Sequence, residues 1–173
     1  MQTEINAADK LDDIDIKADI LHGLWQLLMR TYQVIFRARQ KELNKYGIST
    51  RASGVLFTAL RYKLATPSLI AKQLVLEPQS VSEQLKRMEN DGLIRRLKDL
   101  HKKNLIRVEV TDKGREVYRM AAKRETTRRI MSVLTSEEQR ELWRILCKLR
   151  KGAMNELGMD DSDHYPPENP DEL

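Results

Sequence analysis

Apolar residues recur along this chain mostly at steps of three and four, with one short stretch that alternates. From about Ile16 to Tyr46, the positions Ile20, Leu24, Leu27, Leu28, Thr31 and Ile35 trace one face of a helix. Gly47 is placed to stop it. A second helix is predicted over about Thr50–Tyr62, capped by Ser49 or Thr50, with Val55, Leu56, Ala59 and Leu60 turned inward. Thr66-Pro67-Ser68 opens a third, because a threonine cap followed by proline at the first helical position is a start signal. That helix is short and buries Leu69, Ile70, Ala71 and Leu74. The break Val75-Leu76-Glu77-Pro78 leads into a fourth helix, ended by Asp91-Gly92. Here Val81, Leu85 and Met88 make a narrow apolar stripe, and Gln79, Ser80, Ser82, Glu83, Lys86 and Arg87 occupy the other side.

The period then changes. Leu93–Leu97 and Leu105–Val110 are rich in β-branched residues, partly alternate, and flank a polar tip from Asp99 to Asn104. They predict a β-hairpin with a long basic loop. Thr111-Asp112-Lys113-Gly114 opens a helix expected to run unbroken over about 112–133, with Val117, Met120, Ala121, Ile130 and Leu134 on its buried side. Thr135-Ser136-Glu137-Glu138 is a capping box, and the last helix, about 136–157, carries Leu142, Ile145, Leu146 and Leu149. Residues 1–16 read as a flexible acidic N-terminus. Residues 158–173, with Pro166, Pro167 and Pro170 among acids, read as a disordered acidic tail whose removal should leave folding intact.

Composition sharpens this picture. With 173 residues, 5% aromatics, and only 7 Gly and 5 Pro, a mainly α fold with a small β-hairpin is favoured over a β sandwich. The lone Cys147 excludes an internal disulfide framework; it reads as a structural thiol. His22, His101 and His164 are far apart, so no metal site is expected and no cofactor is called for. No apolar run reaches the ~18–20 residues of a membrane span, and the acidic N-terminus lacks a signal-peptide pattern; the cytoplasm is the expected compartment. There is no phosphate-binding glycine loop, HExxH or GxSxG, so the chain is not expected to be an enzyme.

The net charge of +5 conceals a polarised chain. Residues 1–19 sum to −4 and residues 158–173 to −6, leaving +15 on residues 20–157. A basic middle implies a polyanionic partner. A solvated helical surface would show the same bias, so charge alone leaves both open. The order short helix, tight break, amphipathic helix, basic hairpin narrows the choice to a winged helix-turn-helix over 49–110. A recognition helix buries one stripe and offers small or forked polar groups to base edges in the major groove. Gln79, Ser80, Ser82 and Glu83 are of that kind, although Glu83 is better explained by pairing with Arg87 four residues on. Lys86 and Arg87 suit phosphates, as does Ser68 on the preceding helix. Lys98, His101, Lys102 and Lys103 in the hairpin suit a minor groove or its phosphates.

The stretches TPSLIAKQLVLEPQSVSEQLKRMENDGLIRR and VEVTDKG resemble the multiple-antibiotic-resistance-regulator (MarR) family of bacterial transcription factors, over about residues 20–157. The resemblance implies that the first stretch is the helix-turn-helix and the second joins the wing to the next helix. It further implies a homodimer held by the regions 17–48 and 111–157, and two recognition helices ~34 Å apart on a pseudo-palindromic operator. Leu24, Leu27, Leu142, Ile145, Leu146 and Leu149 are then the candidate dimerisation residues. A ligand crevice common in the family would fall to Tyr32, Phe36, Phe57 and Tyr62, although aromatics at helical spacing are more often core. The sequence departs from the family at the wing tip, where His101-Lys102-Lys103-Asn104 stands in place of an Asp followed by Arg. Lysine lacks the planar fork of arginine, which leaves phosphate contact but not a bracing Asp–Arg pair. The expected function is a sequence-specific DNA-binding transcriptional regulator, a homodimeric repressor on a pseudo-palindromic operator, with release by a small-molecule effector as a further expectation. The alternative is a helical adaptor whose basic face binds an acidic protein.

Overall fold

The computed structural model describes residues 20–98, 105–160 and 165–172. In order it contains α1 (Ile20–Leu43), a 3-10 turn (Asn44–Tyr46), α2 (Thr50–Arg61), α3 (Pro67–Leu74), α4 (Pro78–Asn90), β1 (Ile94–Lys98), β2 (Ile106–Val110), α5 (Asp112–Ala121), α6 (Glu125–Met131), α7 (Ser136–Glu156) and a 3-10 turn (Pro170–Glu172). The flexible N-terminus expected over 1–16 lies outside the described residues. The chain divides into two compact units, Met1–Phe36 and Arg37–Leu173.

Helix starts follow local chemistry. Ser49, Thr66, Thr111 and Thr135 each sit at an N-cap in extended conformation and accept a backbone N–H from the first turn. Thr135 and Glu138 complete the capping box reciprocally. Gly47, at φ 70°, terminates the first helical segment in the left-handed region.

In the second unit, α2 is the central element and packs on α3, α4, α5 and β2. Leu43, Val55, Leu56, Ile70, Val81, Leu85, Met88 and Ile94 are almost wholly removed from water, which supplies the main driving force for this lobe. β1 and β2 pair antiparallel, from Ile94 opposite Val110 to Lys98 opposite Ile106. The N–H of Val108 donates to the Ala65 carbonyl at 2.8 Å, tying the hairpin base to the α2–α3 connection.

Two expectations are corrected. The helix predicted over 112–133 is broken, because Arg124 adopts φ 51° between α5 and α6. The break is held by a pair on α1. Arg39 donates to the Ala121 carbonyl at 2.7 Å, satisfying the C-terminal end of α5. Glu42, only 4% exposed, accepts the N–H groups of Glu125 and Thr126 at 3.0 and 3.3 Å, capping α6. Arg39 and Glu42 also bond each other at 2.6 Å. Burial alone would push the Glu42 carboxyl pKa up, but the Arg39 hydrogen bond and charge and the Thr126 bonds outweigh it, leaving the carboxyl below the ordinary glutamate value.

The tail also differs from expectation. Rather than being disordered, residues 165–172 lie against the folded chain: the Trp143 indole N–H donates to the Glu168 carbonyl at 2.9 Å and Arg150 to the Pro166 carbonyl at 2.8 Å. Proline-rich sequence disfavours helix and strand, but it leaves carbonyls free to accept from neighbouring side chains.

In the first unit, Ile20, Leu21, Leu24, Trp25 and Leu27 are exposed over more than half their surface. Tyr32 and Phe36 meet one turn apart, with ring centroids 5.8 Å apart.

Candidate nucleic-acid interface

The turn between α3 and α4 is tight. Val75 takes a left-handed conformation, φ 50°, and Leu76 N–H bonds back to the Ala71 carbonyl at 3.0 Å. Pro78 then starts α4, its fixed φ being compatible with the first helical position. The result is a helix with two unlike sides. Val81, Leu85 and Met88 are at most 1% exposed, whereas Gln79, Ser80, Ser82, Glu83, Lys86 and Arg87 all face solvent. Ser68 is exposed on α3 and Lys98 on β1. Glu83 lies 3.7 Å from Arg87, the i,i+4 pairing that its position suggests. His101, Lys102 and Lys103 fall outside the described residues.

A contact with no distinctive sequence signal holds the hairpin against α4. Glu89, on the last turn of α4, accepts from Arg96 on β1 three times over: from the backbone N–H at 3.0 Å, from Nε at 2.8 Å, and from the guanidinium Nη2 at 2.6 Å. Side-chain and then backbone hydrogen bonds from Arg96 lower the Glu89 pKa. A carboxylate held by a planar fork fixes orientation as well as distance. The wing therefore has a carboxylate–arginine brace at its base, with glutamate as the acid. Its only sequence signal is opposite charges flanking a Gly turn, which is not specific.

Around the Asp91-Gly92 turn, Thr111 acts twice. Its Oγ1 donates to the Gly92 carbonyl at 2.7 Å and accepts from Gly114 N–H at 3.1 Å, while its own N–H donates to the Leu93 carbonyl. Lys113 donates to the Asp91 carbonyl at 2.8 Å. The stretch from Val108 to Gly114 thus fastens both the hairpin and the end of α4. Gly114 is buried, and a Cβ placed there would stand 2.1 Å from the Leu93 carbonyl oxygen.

The four aromatics named for a ligand crevice do not share one setting. Tyr32 and Phe36 pair with each other. Phe57 packs on Tyr165 of the tail, centroids 4.7 Å apart. Tyr62 lines a groove of about 340 Å³ beside the wing, with Leu97, Arg107 and Arg115. Among the candidate dimerisation residues, Leu24, Leu27, Ile145, Leu146 and Leu149 are exposed and Leu142 is half-buried. Leu142 and Leu146 line an apolar cleft of about 540 Å³ with Met131, Leu134, Trp143, Cys147 and Pro166. The thiol of Cys147 faces the carbonyls of Pro167 and Glu168. Among the described residues no helix is long and apolar enough to cross a membrane, and no group of His, Cys, Asp and Glu is arranged to hold a metal ion.

A capped short helix, a tight turn, a two-sided second helix and a braced hairpin define a winged helix-turn-helix protein of the DNA-binding transcription-regulator class. Residues 54–107 match the sequence model of the MarR family. The chain is 27% identical over 149 residues to the HTH-type transcriptional regulator PecS of Dickeya dadantii (strain 3937), covering 83% of this chain and 87% of PecS. Its structure is similar to the organohalide-sensing RdhR-CbdbA1625 transcriptional regulator in the 2,4-dichlorophenol-bound form, with a TM-score of 0.80, 27% identity, and coverage of 96% and 98%. A mutant MarR from E. coli complexed with operator DNA shares the fold, with a TM-score of 0.70, 20% identity, and coverage of 76% and 99%.

Proposed function

We propose that this regulator is a cytoplasmic homodimeric repressor that occludes a pseudo-palindromic operator and is released by a small-molecule effector. The observation that carries the DNA reading is the division of α4: an apolar stripe sealed in the core and a polar side left in water beside a braced, basic hairpin. On this reading Gln79, Ser80 and Ser82 address base edges in the major groove. Lys86, Arg87 and Ser68 hold phosphates, and Lys98 with His101, Lys102 and Lys103 reaches the flanking groove. Glu83 tunes Arg87 through their ion pair. An acidic-partner adaptor has no use for the Glu89–Arg96 brace, which orients a hairpin relative to a helix.

Dimerisation is supported by the apolar residues left in water on the first part of α1 and, separately, on α7, since apolar side chains exposed in such number mark association surfaces. Leu24, Leu27, Leu142, Ile145, Leu146 and Leu149 would bury there against a second copy, making the isologous contact that a palindromic site requires. Effector release is supported by the likeness to the dichlorophenol-bound regulator.

The test is fluorescence anisotropy of a labelled duplex carrying the gene's own upstream region, titrated with protein at several salt concentrations. Displacement of counterions predicts that log K falls linearly with log salt, losing about 10³–10⁵ in affinity between 50 and 200 mM for 6–10 phosphate contacts. Failure to bind that duplex or any selected fragment at low salt would refute the DNA reading. A monomer by sedimentation at the binding concentration would refute the dimer.

A further inference from the structure

Tyr165 belongs to no periodic segment of the chain, yet it occupies a built site. Its ring lies 4.7 Å from that of Phe57, inclined by 49°, and the Arg61 guanidinium lies 4.6 Å from its centroid. Phe57 and Arg61 are i,i+4 on α2, so they form two walls of one slot. The backbone N–H of Tyr165 donates at 3.1 Å to Oε1 of Gln73 on α3, a side chain only 9% exposed. The following residues hold on to α7. Arg150 donates to Pro166, Trp143 donates to Glu168, and Lys151 lies 3.7 Å from the Glu168 carboxylate. Residues 165–168 thus strap α7 to the two helices that precede the recognition helix. Charge favours the arrangement, because the tail is acidic and Arg61, Arg150 and Lys151 are basic.

We propose that Phe57, Arg61 and Gln73 form an aryl-binding site whose resident occupant is Tyr165, and that a small aromatic molecule entering it displaces the tail and uncouples α7 from α2 and α3. This rests on the reading of the chain as a ligand-released regulator, and it names the site and its internal competitor. The slot offers an aromatic wall and a cation to the π face of a guest, a combination that selects a flat ring. A tethered ring competes at a millimolar effective concentration, so a free aryl ligand binds the intact chain more weakly than it binds a chain lacking the ring. Because α7 carries the candidate dimerisation residues, release of the strap changes what holds the reader helices to the dimer.

The experiment uses full-length protein and p-cresol, the free analogue of the tyrosine side chain. Tyr165→Ala is expected to melt below the parent and to bind p-cresol about tenfold more tightly by calorimetry, with the melting temperature recovering as p-cresol is added. Tyr165→Leu, which keeps bulk but not the π face, gives the same comparison if the alanine variant does not fold. Adding Phe57→Ala to either variant should abolish the tighter binding. Equal p-cresol affinity in parent and Tyr165 variants, or no binding to the variants, overturns the proposal. Duplex binding is measured in parallel. A p-cresol difference in protein that ignores every duplex would leave the site standing and sink the regulator reading, whereas duplex binding with no p-cresol difference would do the reverse.

Discussion

Replacing Gly114 by alanine should loosen the joint between wing and lobe, against the usual preference of helices for alanine. The added Cβ would sit 2.1 Å from the Leu93 carbonyl oxygen, 2.8 Å from Val110 Cγ1 and 3.1 Å from the Leu93 carbonyl carbon. Two of these three atoms belong to backbone, so no rotamer change relieves them, and the carbonyl must retreat by about 1.3 Å to reach ordinary contact. That carbonyl accepts the Thr111 N–H, and Gly114 itself donates to Thr111 Oγ1, so the N-cap of α5 is strained with it. Overpacking of this kind costs about 1–3 kcal/mol, and a weakened hydrogen bond adds about 0.5–1.5. Better helix propensity returns about 0.8–1. The net expectation is a loss of about 1–3 kcal/mol, which for a chain this size lowers the melting temperature by roughly 2–4 °C per kcal/mol. Urea denaturation with far-UV circular dichroism measures it. Gly152→Ala is the control, because nothing lies within 4 Å of its added Cβ; this variant should gain about 0.8–1 kcal/mol. A Gly114→Ala protein as stable as its parent would refute the close-approach argument, whatever the control did.

Four further outcomes are expected. Gln79→Ala or Ser82→Ala should relax base preference by about 1–3 kcal/mol per lost contact, read by comparing affinities across a set of single-base operator variants. Glu89→Gln should leave the melting temperature nearly unchanged, because the pair is at the surface, while weakening duplex binding severalfold; unchanged affinity would show that the brace does not orient the wing for DNA. Val75→Asn should stabilise by about 1 kcal/mol in chemical denaturation, since a β-branched residue is strained in the left-handed turn that asparagine tolerates. Glu42→Ala should cost about 3 kcal/mol by removing the carboxylate partner of the Arg39 charge and the acceptor of the first N–H groups of α6. The parent's own acid profile follows from the lowered pKa of Glu42. Its contribution is complete above the unfolded glutamate value of about 4.3 and disappears as pH falls through the lower folded value. Glu42→Gln should therefore narrow the stability gap to the parent on acidification below pH 4.3.

Local residue spacing sets where most helices begin and which side of α4 is buried. Ser49, Thr66, Thr111 and Thr135 cap within three residues of themselves, and Val81, Leu85 and Met88 repeat at the pitch of the helix they define. Such signals are local, so they survive without knowledge of the fold. Other features depend on contacts between distant parts of the chain. The break at Arg124 carries no glycine or proline and exists because Arg39 and Glu42, more than 80 residues away, take over the hydrogen bonds of two helix ends. Tyr165 finds Gln73 across 92 residues, and a proline-rich acidic stretch has no periodicity to announce it. Gly114 read as a helix-start residue until the Leu93 carbonyl lay against it. Each of these depends on which surfaces the chain brings together in space, and one-dimensional spacing encodes only the neighbours that a helix or strand supplies.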